Sequence, residues 1–181
     1  MSMSLRYAAI PSPLGRLYAA FGPRGLVRLV FGRRLPEGAF LEMLGGDAGR
    51  ASARTDPAVR QLADELARYF RGEPDPFATP LDLRAGTPFQ QRVWRALRRI
   101  PFGEARSYGA VARSVGSPRG ARAVGQAAGS NPAVIVVPCH RVVRASGALG
   151  GFGSGLDLKR RLLRHEREHA PSQGPQAARG T

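Results

Sequence analysis

Ser107-Tyr108-Gly109-Ala110-Val111-Ala112-Arg113-Ser114-Val115-Gly116-Ser117-Pro118-Arg119-Gly120-Ala121-Arg122-Ala123-Val124-Gly125-Gln126-Ala127-Ala128 reads as two short helices joined by a tight turn. Ser107 is placed to cap a helix running to about Val115, Gly116 supplies the turn, Ser117 caps again and Pro118 opens a helix to about Ala128. On the second helix Ala121, Val124 and Ala128 share one face, while Arg119, Arg122 and Gln126 share another. The first face suits packing; the second suits the edges and phosphates of DNA. Gly120, Ala121, Ala123, Gly125 and Ala127 add little bulk, which lets backbone enter a narrow groove. Taken alone, the pattern fits two packed helices without nucleic acid equally well.

Upstream, Thr87, Pro88 and Gln90 fit a capping box, and Phe89, Val93, Leu97 and Ile100 form one apolar face that Pro101 ends. Pro74 to Pro80 reads as a connector. Before it, Leu5–Ile10, Arg16–Phe21 and Leu26–Phe31 are short runs of strand formers separated by Pro- and Gly-rich turns, which predicts a three-stranded antiparallel meander. Residues 32–55 signal weakly, with a short helix expected over Ala39–Leu44. Asp56 and Pro57 then start a clearer helix whose stripe is Val59, Leu62, Leu66 and Tyr69 or Phe70, and Gly72 stops it. The predicted class is α+β. A small N-terminal antiparallel sheet with a helix (residues 1–80) is followed by a mainly helical domain with the helix-turn-helix (81–169) and a disordered tail (170–181).

Downstream, the apolar run Ala133 to Val137 leads into Val137-Pro138-Cys139-His140-Arg141-Val142-Val143, which sets the chain's one cysteine beside a histidine. A lone thiol excludes an intramolecular disulfide, and one sulfur cannot anchor a cysteine-rich zinc site. Pro138 disfavours helix at Val137, so a strand-like run is expected to stop there and present Cys139 at its mouth. Two readings stand: a nucleophile, or a buried thiol packing as a small hydrophobe. His140 and Arg141 bring two potential positive charges that favour thiolate over thiol. Sequence neighbours point apart, so a bridging water is the expected link between Cys139 and His140. The acids of this half are Glu104, Asp157, Glu166 and Glu168. Glu166 is the one expected to orient the imidazole, because it ends the amphipathic stretch Leu158, Leu162, Leu163. His165 and His169 read as surface residues. Gly147 to Gly155 holds five glycines around Phe152, either a flexible surface loop or backbone shaped for close approach to a planar ligand.

The formal net charge is +15. Residues 1–86 carry 12 basic and 9 acidic side chains, whereas residues 87–169 carry 15 and 4, so the second half attracts phosphate. Arginine makes up 27 of the 28 basic residues, which G+C-rich coding explains; the shortage of acids in one half it does not. The opening residues lack the apolar core of a signal peptide and no stretch is long enough to span a bilayer. A reducing, cytoplasmic setting on nucleoid DNA is expected, and it suits a reactive thiol.

The seven-residue run resembles the active-site signature of the O6-alkylguanine-DNA alkyltransferases, also called methylated-DNA-protein-cysteine methyltransferases. The similarity extends from about Thr87 to Glu166 through Thr87-Pro88-Phe89-Gln90 with Trp94, Ser107-Tyr108-Gly109, Ala121-Arg122-Ala123-Val124-Gly125, Asn131-Pro132 and Leu162-Leu163-Arg164-His165-Glu166. It implies a double-stranded DNA partner carrying alkylated guanine, flipped from the stack because its alkylated oxygen lies on the pairing edge. It also implies single-use, irreversible transfer of the alkyl group to Cys139, with O4-alkylthymine as a substrate and cooperative self-association on DNA left open.

By the same resemblance, the helix carrying Arg122 sits in the minor groove with Arg122 filling the place of the extruded base, Ala121, Arg119 and Gln126 lie beside it, and Tyr108 hydrogen-bonds the flipped guanine. Asn131 holds the active-site turn. The glycine loop walls the guanine pocket, with the Gly153 amide facing the alkylated oxygen and the carbonyls of Cys139 and Val142 facing the exocyclic amine. Many relatives carry tyrosine where Phe152 stands and serine where Gly153 stands. Some relatives bind zinc in the first half; the cysteines for that are missing here, so no metal and no cofactor are expected. A relative that only binds lesions lacks the reactive cysteine, a cysteine-histidine hydrolase requires turnover, and a plain repressor leaves Cys139 without a task.

Overall fold

The computed structural model describes residues 5–46 and 48–171. The first half is a four-stranded sheet. Strands β1 (Leu5–Ile10), β2 (Leu17–Gly22) and β3 (Gly25–Phe31) form the expected antiparallel meander, with Tyr7 opposite Ala20 and Ala19 opposite Leu29. The expectation of a purely antiparallel sheet is corrected by β4 (Ala48–Arg50), which pairs parallel to β1 and gives the order β3-β2-β1-β4. Ala-Gly-Arg has no strand signal of its own; its pairing is imposed by the neighbouring strand, as β propensity commonly is.

Helix α1 (Glu37–Met43) starts two residues before the expected span and packs Phe40 against Tyr18, ring centroids 5.2 Å apart. Helix α2 (Pro57–Phe70) has the Asp56 cap and first-position proline read from the sequence, and it buries Val59, Leu62, Leu66 and Tyr69. Gly72 leaves the helix at φ +93°, where a Cβ would overlap the His169 ring. The connector is bound down rather than slack. The buried Glu65 carboxylate accepts the Ala78 and Thr79 amides and the Thr79 hydroxyl, and Leu26 exchanges backbone bonds with Pro80 and Asp82.

In the second half, α3 (Pro88–Leu97) opens with the full capping box, and Trp94, absent from the expected apolar face, is buried with its indole N–H donating to Ala127 O at 2.8 Å. Helix α4 (Tyr108–Ser114) is capped by the Ser107 hydroxyl as read. Helix α5 (Ala121–Gly129) starts three residues later than expected. Ser117 does not cap it; the Ser117 carbonyl instead accepts the Gly120 amide at 2.7 Å, so Ser117 to Gly120 form a turn. A two-residue parallel ribbon joins β5 (Arg106–Ser107) to β6 (Val142–Val143) and brings the start of α4 against the cysteine signature. Helix α6 (Leu156–His169) closes the fold. The residues expected as a disordered tail are described only at Ala170 and Pro171; 172–181 lie outside the described residues. One apolar core runs through both halves, from Leu17 and Leu29 in the sheet and Leu66 in α2 to Leu97, Val137 and Leu162.

Candidate active site

Ala133 to Val137 is not the strand its composition suggested. It folds back on itself, with Ile135 at φ +71° and Val137 N–H donating to Ala133 O at 2.8 Å. Such a turn buries its own backbone and needs a polar organiser. Asn131 is that organiser: its amide nitrogen donates to Val137 O at 2.7 Å and to Cys139 Sγ at 3.0 Å, while its oxygen accepts the Ala133 amide at 2.9 Å. On the other side, the edge of β3 holds the same turn, with Leu29 donating to Pro132 O at 2.7 Å and accepting from Val134 N at 3.0 Å. A short 3-10 turn, Cys139–Arg141, follows, and all three of its side chains are buried.

Burial pushes the Cys139 thiol up, against the Asn131 amide and the Lys159 charge that pull it down. The expectation that His140 and Arg141 favour the thiolate is therefore corrected. Burial holds the His140 imidazolium below its ordinary range in spite of Glu166, so His140 is neutral at pH 7. Arg141 turns away, donating to Glu166 Oε2 (2.8 Å), Ile100 O (2.6 Å) and Asp75 Oδ1 (2.7 Å).

Glu166 faces inward as expected and is fully buried. Burial by itself raises a carboxyl, but His140 and Arg141 hold Glu166 well below the usual carboxylate range. It accepts His140 Nε2 at 2.6 Å, the Tyr69 hydroxyl at 2.7 Å and the Gly103 amide at 3.2 Å. An ionised carboxylate only accepts, so Nε2 carries the imidazole proton and Nδ1 presents a lone pair. Nδ1 is the one buried side-chain nitrogen or oxygen with no hydrogen-bond partner among the described residues.

Lys159 escaped the sequence reading. Its ammonium donates to Val142 O at 2.6 Å and Gly151 O at 3.2 Å, lies 5.9 Å from the Tyr108 ring centroid, and is lowered by burial to about 8 against the pull of Cys139. A signal existed: Lys159 is the only lysine in an arginine-rich chain, and it stands on the α6 stripe with Leu162, Leu163 and Glu166. Tyr69 and Asp75 were missed for a different reason, since they reach Glu166 and Arg141 across 97 and 66 positions of sequence.

A cavity of about 530 Å³ opens onto Cys139, between Asn131, Phe152, Gly153 and the α5 residues Gly125 and Ala128. Arg28 and Met43, from the first half, form part of its wall. Val142, expected to line the pocket, is fully buried and stands outside these walls, with its carbonyl taken by Lys159. Tyr108 is half-buried at the head of α4, and its phenol is raised by burial and then by Cys139. A Cβ on Gly150, at φ +68°, would lie 2.8 Å from its hydroxyl, so only glycine lets the loop pass. Arg119, Arg122 and Gln126 are exposed on one side, Val124, Ala127 and Ala128 are buried on the other, and Ala121 is half-buried between them. His165 is more than a surface residue: it is half-buried against Tyr69 and Phe70 and bonded to Tyr69 O at 2.9 Å, while His169 is exposed.

The model of the 6-O-methylguanine DNA methyltransferase DNA-binding domain matches residues 88–168, and that of the family's ribonuclease-like domain matches residues 5–83. The chain belongs to the 6-O-methylguanine DNA methyltransferase family. It is 46% identical over 169 residues to the methylated-DNA–protein-cysteine methyltransferase of Mycobacterium tuberculosis, covering 93% of this chain and 96% of the relative. The corresponding protein of Mycolicibacterium paratuberculosis is 44% identical with the same coverage. Among solved structures, the M. tuberculosis O6-methylguanine methyltransferase superposes with a TM-score of 0.79 at 43% identity, over 93% of this chain and 96% of that one. The M. tuberculosis protein in complex with DNA superposes at 0.78 and 43% identity, over 92% and 96%. No helix among the described residues is long and apolar enough to cross a membrane.

Proposed function

We propose that this protein repairs DNA by moving an alkyl group from O6 of guanine onto Cys139, once per molecule. The observation that carries the reading is the buried Cys139 at the floor of a cavity, beside a neutral His140 whose Nε2–H is fixed by Glu166 at 2.6 Å. That arrangement leaves Nδ1 basic, and one water between it and the sulfur completes a path for the thiol proton. A fully formed thiolate would be costly in so buried a place. Drawing the proton off as the carbon is attacked avoids that cost.

The bond formed is S–C and the bond broken is C–O6. The electron pair stays on the purine, where the Tyr108 hydroxyl and the Gly153 amide offset the growing charge, and the proton lost from sulfur travels through His140 to solvent or to the departing base. The product is a thioether that water does not readily cleave, so the protein is consumed and the step calls for no cofactor. Arg122 enters the stack that the flipped guanine leaves, Arg119 and Gln126 meet the neighbouring backbone, and Ala121 allows close approach. In this reading residues 81–169 bind DNA and carry the chemistry, residues 1–80 support them, and the protein works in the cytoplasm on nucleoid DNA. Intact-protein mass spectrometry after exposure to duplex containing O6-methylguanine tests it. A gain of one methylene mass, mapped to Cys139 and absent in Cys139→Ser, is the expected result; an unchanged mass rejects it.

A further inference from the structure

Arg28 sits on β3 next to Leu29, whose backbone holds the active-site turn through Pro132 and Val134. Its side chain is half-buried and lines the cavity that contains Cys139. It also lines an adjoining cavity of about 190 Å³ beside Gln90 and Trp94, with Ser130 common to both. Several arginines of this half are paired, among them Arg6 with Asp56, Arg24 with Asp82 and Arg33 with Asp157, while Arg16, Arg34, Arg54, Arg60 and Arg71 have no ion pair among the described residues but line neither of these cavities. Arg28 has neither an ion pair nor a side-chain hydrogen bond among the described residues. The one carboxylate in either cavity wall, Asp82, is engaged by Arg84 at 2.5 Å and by Arg24 at 3.5 Å. A partly desolvated guanidinium with no counter-charge is costly by itself and well placed for an anion.

The alkyl-transfer reading, on which this inference rests, names the anion. Before transfer neither the methyl group nor the guanine ring is charged, and the charge that grows on the purine is met by Tyr108 and Gly153, whereas the nucleotide's own phosphodiester must follow the base to the mouth of the cleft. We infer that Arg28, from the sheet of the first half, holds the backbone phosphate of the nucleotide whose base enters the cavity. A planar fork of donors matches two phosphate oxygens, so the contact fixes the depth and angle of the base as well as adding affinity. Arg28 is thus a positioning residue that acts on the strand itself, in single-stranded as in duplex DNA, unlike Arg122, whose task exists only where there is a stack to fill.

The test compares wild type, Arg28→Ala, Arg28→Lys and Arg122→Ala on three substrates: a duplex carrying O6-methylguanine, the same strand alone, and the free base O6-benzylguanine, which has no phosphate. For Arg28→Ala the ratio of the DNA rate to the free-base rate is expected to fall about ten-fold on both DNA forms, with the log–log salt slope of duplex affinity smaller by about one. Arg28→Lys restores the salt slope and only part of the rate ratio. Arg122→Ala lowers the ratio on duplex more than on single strand. An unchanged ratio for Arg28→Ala overturns the inference, and so does a ratio that falls on duplex alone. The free-base reaction reports on folding and on Cys139 in every variant. If wild type itself gains no alkyl mass from any substrate, the alkyl-transfer reading has failed, an outcome distinct from failure of the Arg28 contact.

Discussion

His140 Nε2 and Glu166 Oε1 stand 2.6 Å apart with both side chains fully buried, and the same carboxylate is gripped by Arg141 through two nitrogens. The carboxylate therefore does two jobs: it sets which imidazole nitrogen carries the proton, and it neutralises a buried guanidinium. Glu166→Leu undoes both, because an apolar side chain accepts neither the Nε2 proton nor the Arg141 guanidinium. The single-turnover transfer rate is expected to fall on the order of 100-fold or more. Loss of a partner from a buried ion pair lowers unfolding free energy by roughly 3 kcal/mol. Stopped-time mass spectrometry and urea melts measure the two effects, and a variant as fast as wild type contradicts the assigned tautomer.

Acid sensitivity follows from the neutral His140. Its folded-state affinity for protons is depressed by burial below the ordinary 6.5. Between the folded value and 6.5 the unfolded chain therefore binds more protons, and stability is lost as pH falls below about 6.5. Urea melts at pH 7, 6 and 5 are expected to show a declining unfolding free energy that flattens in His140→Gln. An identical slope in the two proteins would mean that the imidazole does not titrate on unfolding.

Lys159 supplies a positive charge that favours the Cys139 thiolate. Lys159→Met keeps most of the buried alkyl volume and removes that charge. Its thiol is expected to titrate at higher pH in rates of alkylation by iodoacetamide, and transfer at pH 7 is expected to slow about ten-fold. Wild type loses the same help as Lys159 deprotonates around its value of about 8, so its rate rises less steeply above that pH than a thiol alone predicts. A steeper rise in wild type than in Lys159→Met argues against this role.

Methylation of Cys139 adds a carbon to a buried sulfur that Asn131 Nδ2 already approaches at 3.0 Å and whose open side is the cavity alone. Overfilling of this kind costs about 1–3 kcal/mol, or roughly 2–12 °C of Tm for a chain of this size. Differential scanning fluorimetry before and after single turnover reads the change. An unshifted Tm would show that the turn has room for the product.

Arg122→Ala is expected to slow repair of duplex at least ten-fold while changing the reaction with free alkylguanine by no more than about two-fold, the ten-fold corresponding to about 1.4 kcal/mol of lost extrusion help. Equal losses on the two substrates remove the base-stack role.

Much of the site was legible in one dimension because its chemistry is concentrated in local signals. The capping residues Asp56, Thr87 and Ser107, the stripe that turns Glu166 inward and the split faces of α5 all arise within a few turns of helix. Illegible were the features set by distant partners. Strand β4 exists because β1 offers it an edge, the Val134–Val137 stretch is bent by the Asn131 amide in spite of its β-branched content, and Arg141 points away from the sulfur because Glu166 and Asp75 claim it. Charge counted along the chain also misled locally: two cations next to Cys139 were expected to activate it, yet one is neutral and the other is spent on carboxylates, and the cation that matters is Lys159, twenty positions on.

The rim of β3 is closed by residues 80–82 and 132–134, all made after it. While the chain is being synthesised, a finished meander therefore waits with open amides and carbonyls until some hundred further residues have emerged, and during that wait any extended stranger is a competitor for the seat beside Leu29. Yield on refolding should accordingly fall with protein concentration, because the edge beside Leu29 is covered only by segments distant in the chain.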